Sequence, residues 1–576
     1  MARKLSSKFS MRGFRRSLAS LEAVPQFAIL GVLSGMVTGL VILAFRTLME
    51  IPLARVLNDD FENFEALDHP LYFLVPVGGA VILAIMMFLL KPDHRQVGPT
   101  HVLERLARHQ GHMPYQNALV QFFGGIIALA SGQSGGREGP AIHLGAAGAS
   151  LLGQKLKLPN NSIRILVGCG AAAAISASFN TPMAGVIFSM EVILMEYTIA
   201  GFIPVILASV TATMINQSVY GADSAFDVPA ALAMGSIYEV PFLLLEGVLI
   251  GAVAAIFIGA ISWVYKVAPS AIWIRMLIAG FITGVLALLA PQILGVGYDS
   301  VNAAMDGSLT LSVLAMAFVF KILASTTTIA LGMPVGVIGP ALFIGAMAGG
   351  ILGNFGSQLL PEHASPQGFY VILGMGAMMG AVLQAPLAAL MAVMELTNNS
   401  NIILPAMLVI IIANITSRQL FGCESVFTTQ MKILGLESEQ KPLSMALNRA
   451  SVASIMSRSF ERTKPAISRE DARLLLLEKP LWLLVDGEKG PESIIRSEDL
   501  LNHLAANKGE EIDLNAIPAT RFDVRPILIQ ATLSEALDTL NKSGVQGIYV
   551  NRITAPLLDS VVGIVTRSDI ESYYQI

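Results

Sequence analysis

Between residues 24 and 420 the chain repeats apolar stretches about 20 residues long, at 24–45, 71–90, 242–265, 276–295 and 309–331, each long enough to cross a bilayer as a helix. One soluble core cannot absorb so many such runs, so the sequence predicts a polytopic all-α membrane protein. Composition agrees: 54% of residues are hydrophobic and 14% charged, where soluble domains carry about 25% charged residues. A formal net charge of -4 excludes a strongly basic nucleic-acid binder, and two cysteines, Cys169 and Cys423, exclude a disulfide framework or a cysteine-rich metal site. Charged residues crowd instead into the stretch from 441 onward, which reads as a small soluble α/β domain.

The ends of the first span give the orientation. Arg3, Lys4, Lys8, Arg12, Arg15 and Arg16 precede it, and Asp59, Asp60, Glu62, Glu65 and Asp68 follow it, which predicts a cytoplasmic N-terminus over residues 1–23. A signal peptide is set aside, because the apolar run is too long and ends without a small-residue cleavage site.

Compared with itself, the chain contains two near-copies of one pattern: G-R-E-G-P-A-I-H-L-G-A from Gly136 to Ala146, and G-V-I-G-P-A-L-F-I-G-A from Gly336 to Ala346. Further along, F-N-T-P-M-A-G-V-I-F-S-M-E-V (Phe179 to Val192) matches L-Q-A-P-L-A-A-L-M-A-V-M-E-L (Leu383 to Leu396), so Pro182 pairs with Pro386 and Glu191 with Glu395. Collinear blocks of this kind indicate a duplicated half. Transporters built from duplicated halves place their substrate where interrupted helices from both halves converge.

Each G-x-x-G-P block fits such an interruption. Glycine allows an irregular backbone, and proline is accommodated in a first helical turn. The exposed amides and the positive helix end then form an anion site without a buried Lys or Arg, from which a small anion can leave quickly. The same glycines also suit close helix packing in a membrane, and the pattern leaves both readings open. Glu138 bears on the choice, since an intramembrane carboxylate is costly enough to imply function. Deprotonated, it competes with an anion for the same amides; protonated, it leaves them, so one side chain can couple proton and anion movement. The alternative is an ion pair with Arg137, which adjacent positions on a helix disfavour.

On these motifs the chain resembles the CLC family of chloride channels and chloride/proton antiporters, over residues 24–435. The resemblance implies the CLC fold: a homodimer with a pore in each subunit, and many tilted helices in two inverted halves, about 24–220 and 240–435. It implies that Glu138 is the external gating and proton-accepting glutamate. It further implies anions held by amides at Gly136, Arg137 and Gly139, at Val337 and Ile338, and at the loop of Val97 and Gly98. Three departures qualify this. The family's G-S-G-I-P motif here reads Gln96-Val97-Gly98-Pro99-Thr100, so Val97, or Gln96 in a shifted alignment, replaces the anion-touching serine. Phe427, in Ser425-Val426-Phe427-Thr428, stands for the family's central tyrosine, so that hydroxyl is lost too. Val192 follows Glu191 where many family antiporters carry a proton-receiving acid, leaving water or Glu191 itself to relay. His143, one turn beyond Glu138, is read as a structural residue, with proton relay as its alternative.

The tail over 441–576 also repeats: I-I-R-S-E-D-L (Ile494 to Leu500) echoes I-V-T-R-S-D-I (Ile564 to Ile570). Short strands at Leu481 to Val485, Gly547 to Val550 and Val561 to Val565 alternate with helical stretches such as Leu533 to Leu540. This resembles a cytoplasmic pair of cystathionine-β-synthase-type (CBS) modules. In such modules Thr566, Asp569 and Asp499 would meet an adenine nucleotide such as ATP or AMP; the alternative is that the aspartates cap their helices.

The reading is chloride transport, as chloride/proton antiport through Glu138. A passive voltage- or proton-gated chloride channel on the same fold is the alternative, and a fluoride exporter or a non-transporting nucleotide sensor rank behind it. The expected partners are chloride, protons, the lipid bilayer and a second copy of the chain. No cofactor is required beyond a regulatory nucleotide, and no metal or nucleic acid is expected. No nucleophile–base pair or phosphate loop suggests an enzyme. The setting is a bacterial inner membrane with both termini cytoplasmic.

Overall fold

The computed structural model describes residues 23–57, 62–222, 232–359, 361–436, 450–487, 490–507, 509–529, 531–555 and 558–575, with isolated positions beside them. The basic residues before the first span, and Asp59 and Asp60, lie outside the described residues. Two compact units result, one from most of 23–436 and one from 450–575.

The first half of the helical unit runs α1 (Ala23–Val56), α2 (Leu71–Leu89), α3 (Gly98–Arg108), α4 (Tyr115–Ala130), α5 (Glu138–Lys155), α6 (Asn160–Phe179), α7 (Pro182–Phe188) and α8 (Ile199–Tyr220). The second runs α9 (Val240–Val267), α10 (Ile272–Ala287), α11 (Tyr298–Met305), α12 (Leu311–Ala330), α13 (Ile338–Leu359), α14 (Gln367–Leu383), α15 (Pro386–Thr397), α16 (Ile403–Ile415) and α17 (Val426–Ile433). Eight spans among the described residues are long and apolar enough to cross a bilayer. The apolar stretch expected at 276–295 behaves differently. Its helix stops at Ala287 and a 3-10 turn follows at Pro291–Ile293, since proline cannot continue an α-helix through its own missing N–H.

Reciprocal contacts relate the halves. Gly136 and Gly336 form an antiparallel bridge in which Gly136 N donates to Gly336 O (2.8 Å) and Gly336 N donates to Gly136 O (2.7 Å). Glu191, in a π-helical turn at Ser189–Leu194, accepts from the first-turn amides of α15, Leu387 N (3.4 Å) and Ala388 N (2.8 Å). Its counterpart Glu395 accepts from the first-turn amides of α7, Met183 N (2.8 Å) and Ala184 N (2.7 Å). Each half thus supplies the anionic cap that the other's positive helix end calls for, the exchange expected of a two-fold relation. Packing repeats as well: a Cβ on Gly145 of α5 would fall on the Gly170 carbonyl of α6, and one on Gly345 of α13 on the Gly374 carbonyl of α14. At these positions the glycines serve close helix approach.

The second unit contains β1 (Phe460–Thr463), β2 (Ala466–Ser468), α18 (Arg469–Leu477), β3 (Trp482–Gly487), β4 (Gly490–Arg496), α19 (Ser497–Ala506), β5 (Glu511–Asp513), β6 (Phe522–Leu528), α20 (Leu533–Ser543), β7 (Gly547–Ala555), β8 (Leu558–Thr566) and α21 (Arg567–Gln575). Its six-stranded sheet has the order β1-β3-β4-β6-β7-β8. β1 pairs parallel with β3 and β3 antiparallel with β4; β6, β7 and β8 repeat that pattern. Leu483, Val485, Ile495 and Leu500 pack one core, and Leu533, Leu540, Ile548 and Val565 its equivalent. The sequence repeat is therefore a repeat of supersecondary structure.

Candidate functional site

The bridge between Gly136 and Gly336 brings the first turns of α5 and α13 together, and Glu138 lies at that junction. Its carboxylate is fully buried. It accepts a hydrogen bond from the Tyr298 hydroxyl at Oε1 (2.5 Å) and one from Gly339 N at Oε2 (3.2 Å). The acid belongs to the first half and the amide to the second, at the position where the repeat has Gly139 in the first. First-turn amides have no intrahelical acceptor, so a negative group there satisfies a donor and meets the positive end of α13.

Arg137 does not pair with Glu138. Its guanidinium reaches Glu50 Oε1 (2.8 Å) and the Ser178 carbonyl (3.2 Å), and its Cζ lies 5.4 Å from the Tyr298 ring centroid. Glu50 is shared with Arg46 (3.0 Å), so it carries the ion pairing that the sequence offered to Glu138. Adjacent residues at a helix start point apart, which is why the alternative pairing fails.

Of the other residues expected at the site, Val337 and Ile338 lie directly before Gly339, at the same helix start. Gly136 belongs there too, but its amide is committed to Gly336 O. Gly139 packs against the Gly336 backbone. Val97 is the N-cap of α3, and Gly98 has a φ of 80°, a left-handed conformation that suits glycine. The Gly98 amide donates to Gln121 Oε1 (2.7 Å), and Gln121 Nε2 donates in turn to the Pro334 carbonyl (3.1 Å). Gln121 of α4 thereby joins the loop before α3 to the loop before α13. Phe427 is buried in the first turn of α17, which Thr100 of α3 ties down by donating to Gln430 Oε1 (2.6 Å).

Sequence reasoning missed Tyr298 and the support behind it. Its amide donates to Glu62 Oε2 (2.9 Å), and its ring packs near Phe226 (4.7 Å between centroids). The preceding loop is pinned by Lys321 of α12, wholly buried, whose ammonium donates to the carbonyls of Ile293 (3.1 Å), Gly295 (3.0 Å) and Val296 (3.2 Å). Three donors meet three acceptors. Beside Tyr298, burial pushes the Asp299 carboxyl well above the usual carboxylate range, with Glu65 as the second cause.

In the second unit, Thr566 Oγ1 donates to Asp569 Oδ2 (2.7 Å), and Thr566 N donates to the same oxygen (2.8 Å), so the two residues close the start of α21 on each other. Asp499 occupies the first turn of α19, the equivalent place in the other half.

A family model described as voltage gated chloride channel matches residues 78–418. A "chloride channel protein ClcB-like" of Ralstonia nicotianae is 31% identical over 62% of this chain and 84% of its own length. An "H(+)/Cl(-) exchange transporter ClcA" of Vibrio campbellii is 30% identical over 54% of this chain and 68% of its own length. Among solved structures, a slow cyanobacterial Cl-/H+ antiporter matches with a TM-score of 0.62 at 21% identity, covering 73% of this chain and 100% of that one. A eukaryotic CLC transporter covers 97% of this chain and 98% of its own, with a TM-score of 0.56 at 17% identity, so the likeness of fold extends through the C-terminal unit. With its paired interrupted helices and a family match over more than half its length, the chain belongs to the voltage-gated chloride channel, or CLC, family.

Proposed function

We propose that the chain exchanges chloride for protons across a bacterial inner membrane, as a homodimer with both termini cytoplasmic, and that Glu138 is the group the two ions share. The main support is the seat of its carboxylate: a buried anionic group held by a phenol and a helix-start amide. Donors arranged for a carboxylate suit chloride once the carboxyl is protonated and withdraws. Arg137, next in sequence, directs Nη1 to Glu50 and Nη2 to the Ser178 carbonyl rather than toward Glu138. The name of the Vibrio campbellii relative adds support. The passive-channel alternative draws on Val192, which is buried and apolar beside Glu191. For the C-terminal unit, a CBS-type pair with an adenine nucleotide as ligand is our reading. Asp499 and Asp569 each lie in the first turn of the helix that follows the third strand of the repeated sheet pattern, β4 in one half and β8 in the other, which supports it.

The test is chloride-driven proton movement into liposomes holding the purified protein. The unaltered chain is expected to move protons against their own gradient, and Glu138→Gln to abolish that movement while chloride still passes. Chloride flux without uphill proton movement in the unaltered chain would make this a channel.

Tyr298→Phe removes a hydroxyl that holds the charged form of Glu138, an interaction worth about 1.5–3 kcal/mol. The seat then releases the acid more readily, so chloride flux should persist to higher pH than in the unaltered protein. A flux profile that coincides with the unaltered protein's would remove Tyr298 from the gate.

A further inference from the structure

A line of titratable groups outside the Glu138 seat begins on the same helix. His143 of α5, fully buried, shares a hydrogen bond with His101 of α3, with Nε2 and Nδ1 2.9 Å apart. The other nitrogen of His101 lies 3.8 Å from Glu104 Oε2, and the second oxygen of that carboxylate lies 3.6 Å from His109 Nε2. His101 and Glu104 are buried, whereas the His109 side chain is 46% exposed. The line therefore runs from solvent into the helical unit. Its outer end sits beside Arg108, which donates to the Gly435 carbonyl (3.0 Å), so it opens on the face where the chain leaves the helical unit for its C-terminal part.

From this geometry we infer that His109, Glu104, His101 and His143 form a proton route leading from that face toward Glu138. The inference rests on the exchange reading above. Two observations carry it. The first is the chemistry of the sequence: a neutral imidazole accepts at one nitrogen and releases from the other. A proton taken up by His109 passes through the Glu104 carboxylate to His101 Nε2. The Nδ1 proton of His101 goes to His143 Nε2, and His143 gives up its own proton from Nδ1, with no net change in either ring beyond the tautomer.

The second observation is the inner end. His143 Nδ1 is buried and has no hydrogen-bond partner among the described residues, as is also true of Glu104 Oε2. Buried polar atoms left this way are the usual seats of internal water, and water closes contacts longer than a direct hydrogen bond. His143 lies five positions along α5 from Glu138, about 7.5 Å of helix rise. Arg105, next to Glu104 in the chain, places a positive charge beside the line, felt by His101, Glu104 and His109. Arg105 gives Nε to the His112 carbonyl (2.6 Å), Arg164 reaches the Leu106 carbonyl (2.6 Å), and Lys432 pairs with Glu424 (2.6 Å).

The test uses the full chain in liposomes, with chloride flux and chloride-driven proton uptake measured on one preparation. Glutamine keeps hydrogen-bonding capacity but cannot pass a proton from one atom to another. His101→Gln and His143→Gln are therefore expected to lower proton uptake about tenfold or more, with chloride flux within about twofold of the unaltered chain. His109→Ala, at the exposed end, is expected to remove the dependence of uptake on the pH of the face on which His109 opens. An unchanged proton-to-chloride ratio in His101→Gln would overturn the route. Should that variant fail to fold, unaltered uptake and pH dependence in His109→Ala would overturn it equally. If the unaltered chain moves no protons uphill, the exchange reading itself falls, and the route with it; normal uptake in the unaltered chain and all three variants removes the route alone.

Discussion

Replacing Gly336 by alanine is expected to lower chloride efflux from liposomes by about tenfold or more and to destabilise the protein, with Gly139→Ala acting alike. A Cβ at Gly336 would fall on the Gly139 amide nitrogen, with the Gly139 Cα 2.9 Å away, and one at Gly139 would fall on the Gly336 Cα. Both obstacles are backbone, so no rotamer change relieves the clash and the loops must part. Overpacking of this kind costs about 1–3 kcal/mol where side chains can yield, and more where they cannot. Parting the loops also breaks the paired hydrogen bonds between Gly136 and Gly336 and moves Gly339 away from Glu138, so the loss of flux should exceed what destabilisation alone produces. Gly78→Ala and Gly259→Ala supply the control, because a Cβ at either position meets nothing within 4 Å. Equal flux in Gly336→Ala and in these controls would refute the claim that the seam is tight.

Lys321→Met is expected to cost about 3 kcal/mol or more, because it leaves three buried carbonyls without their charged donor. Thermal unfolding in detergent would register a lower midpoint, with Lys321→Gln falling in between. The loop from Ile293 to Val296 leads directly into Tyr298, so the same substitution should also shift the pH profile of flux in the direction expected for Tyr298→Phe. A variant with lowered stability and an unmoved profile would confine Lys321 to support of the fold. An unmoved midpoint would refute the accounting of its three hydrogen bonds.

Much of this was legible in the sequence, and what was not has a common cause. Apolar length marked the spans, and collinear motifs marked the two halves whose glycines and glutamates meet. Glu138 stood out because a carboxylate in such a setting has few structural excuses. The same argument applied to Lys321 within 309–331 and to Arg46 and Glu50 in the first helix, and would have flagged all three. The partners of Glu138 were another matter. Tyr298 is 160 positions away along the chain, and the loop held by Lys321, together with Glu62 and Phe226, places its hydroxyl at the acid. Gln121 carries no pattern that would mark it as the acceptor of the Gly98 amide. Long-range pairing of single polar side chains leaves no periodic trace, whereas helix length and repeated backbone breaks do. The apolar stretch at 276–295 misled for a local reason: hydropathy ran on through Pro291, where the helix could not.

The bridge at Gly136 and Gly336 also bears on how such a molecule can change over generations. In the first copy of the motif the position after Arg137 is an acid; in the second it is Ile338, and the neighbouring glycine supplies the amide that receives that acid. Duplication here ended as a division of labour, one copy keeping the moving part and the other becoming its receptacle. Neither copy can now drift alone, and a lineage that altered one would have to find the matching change in the other before selection tolerated either.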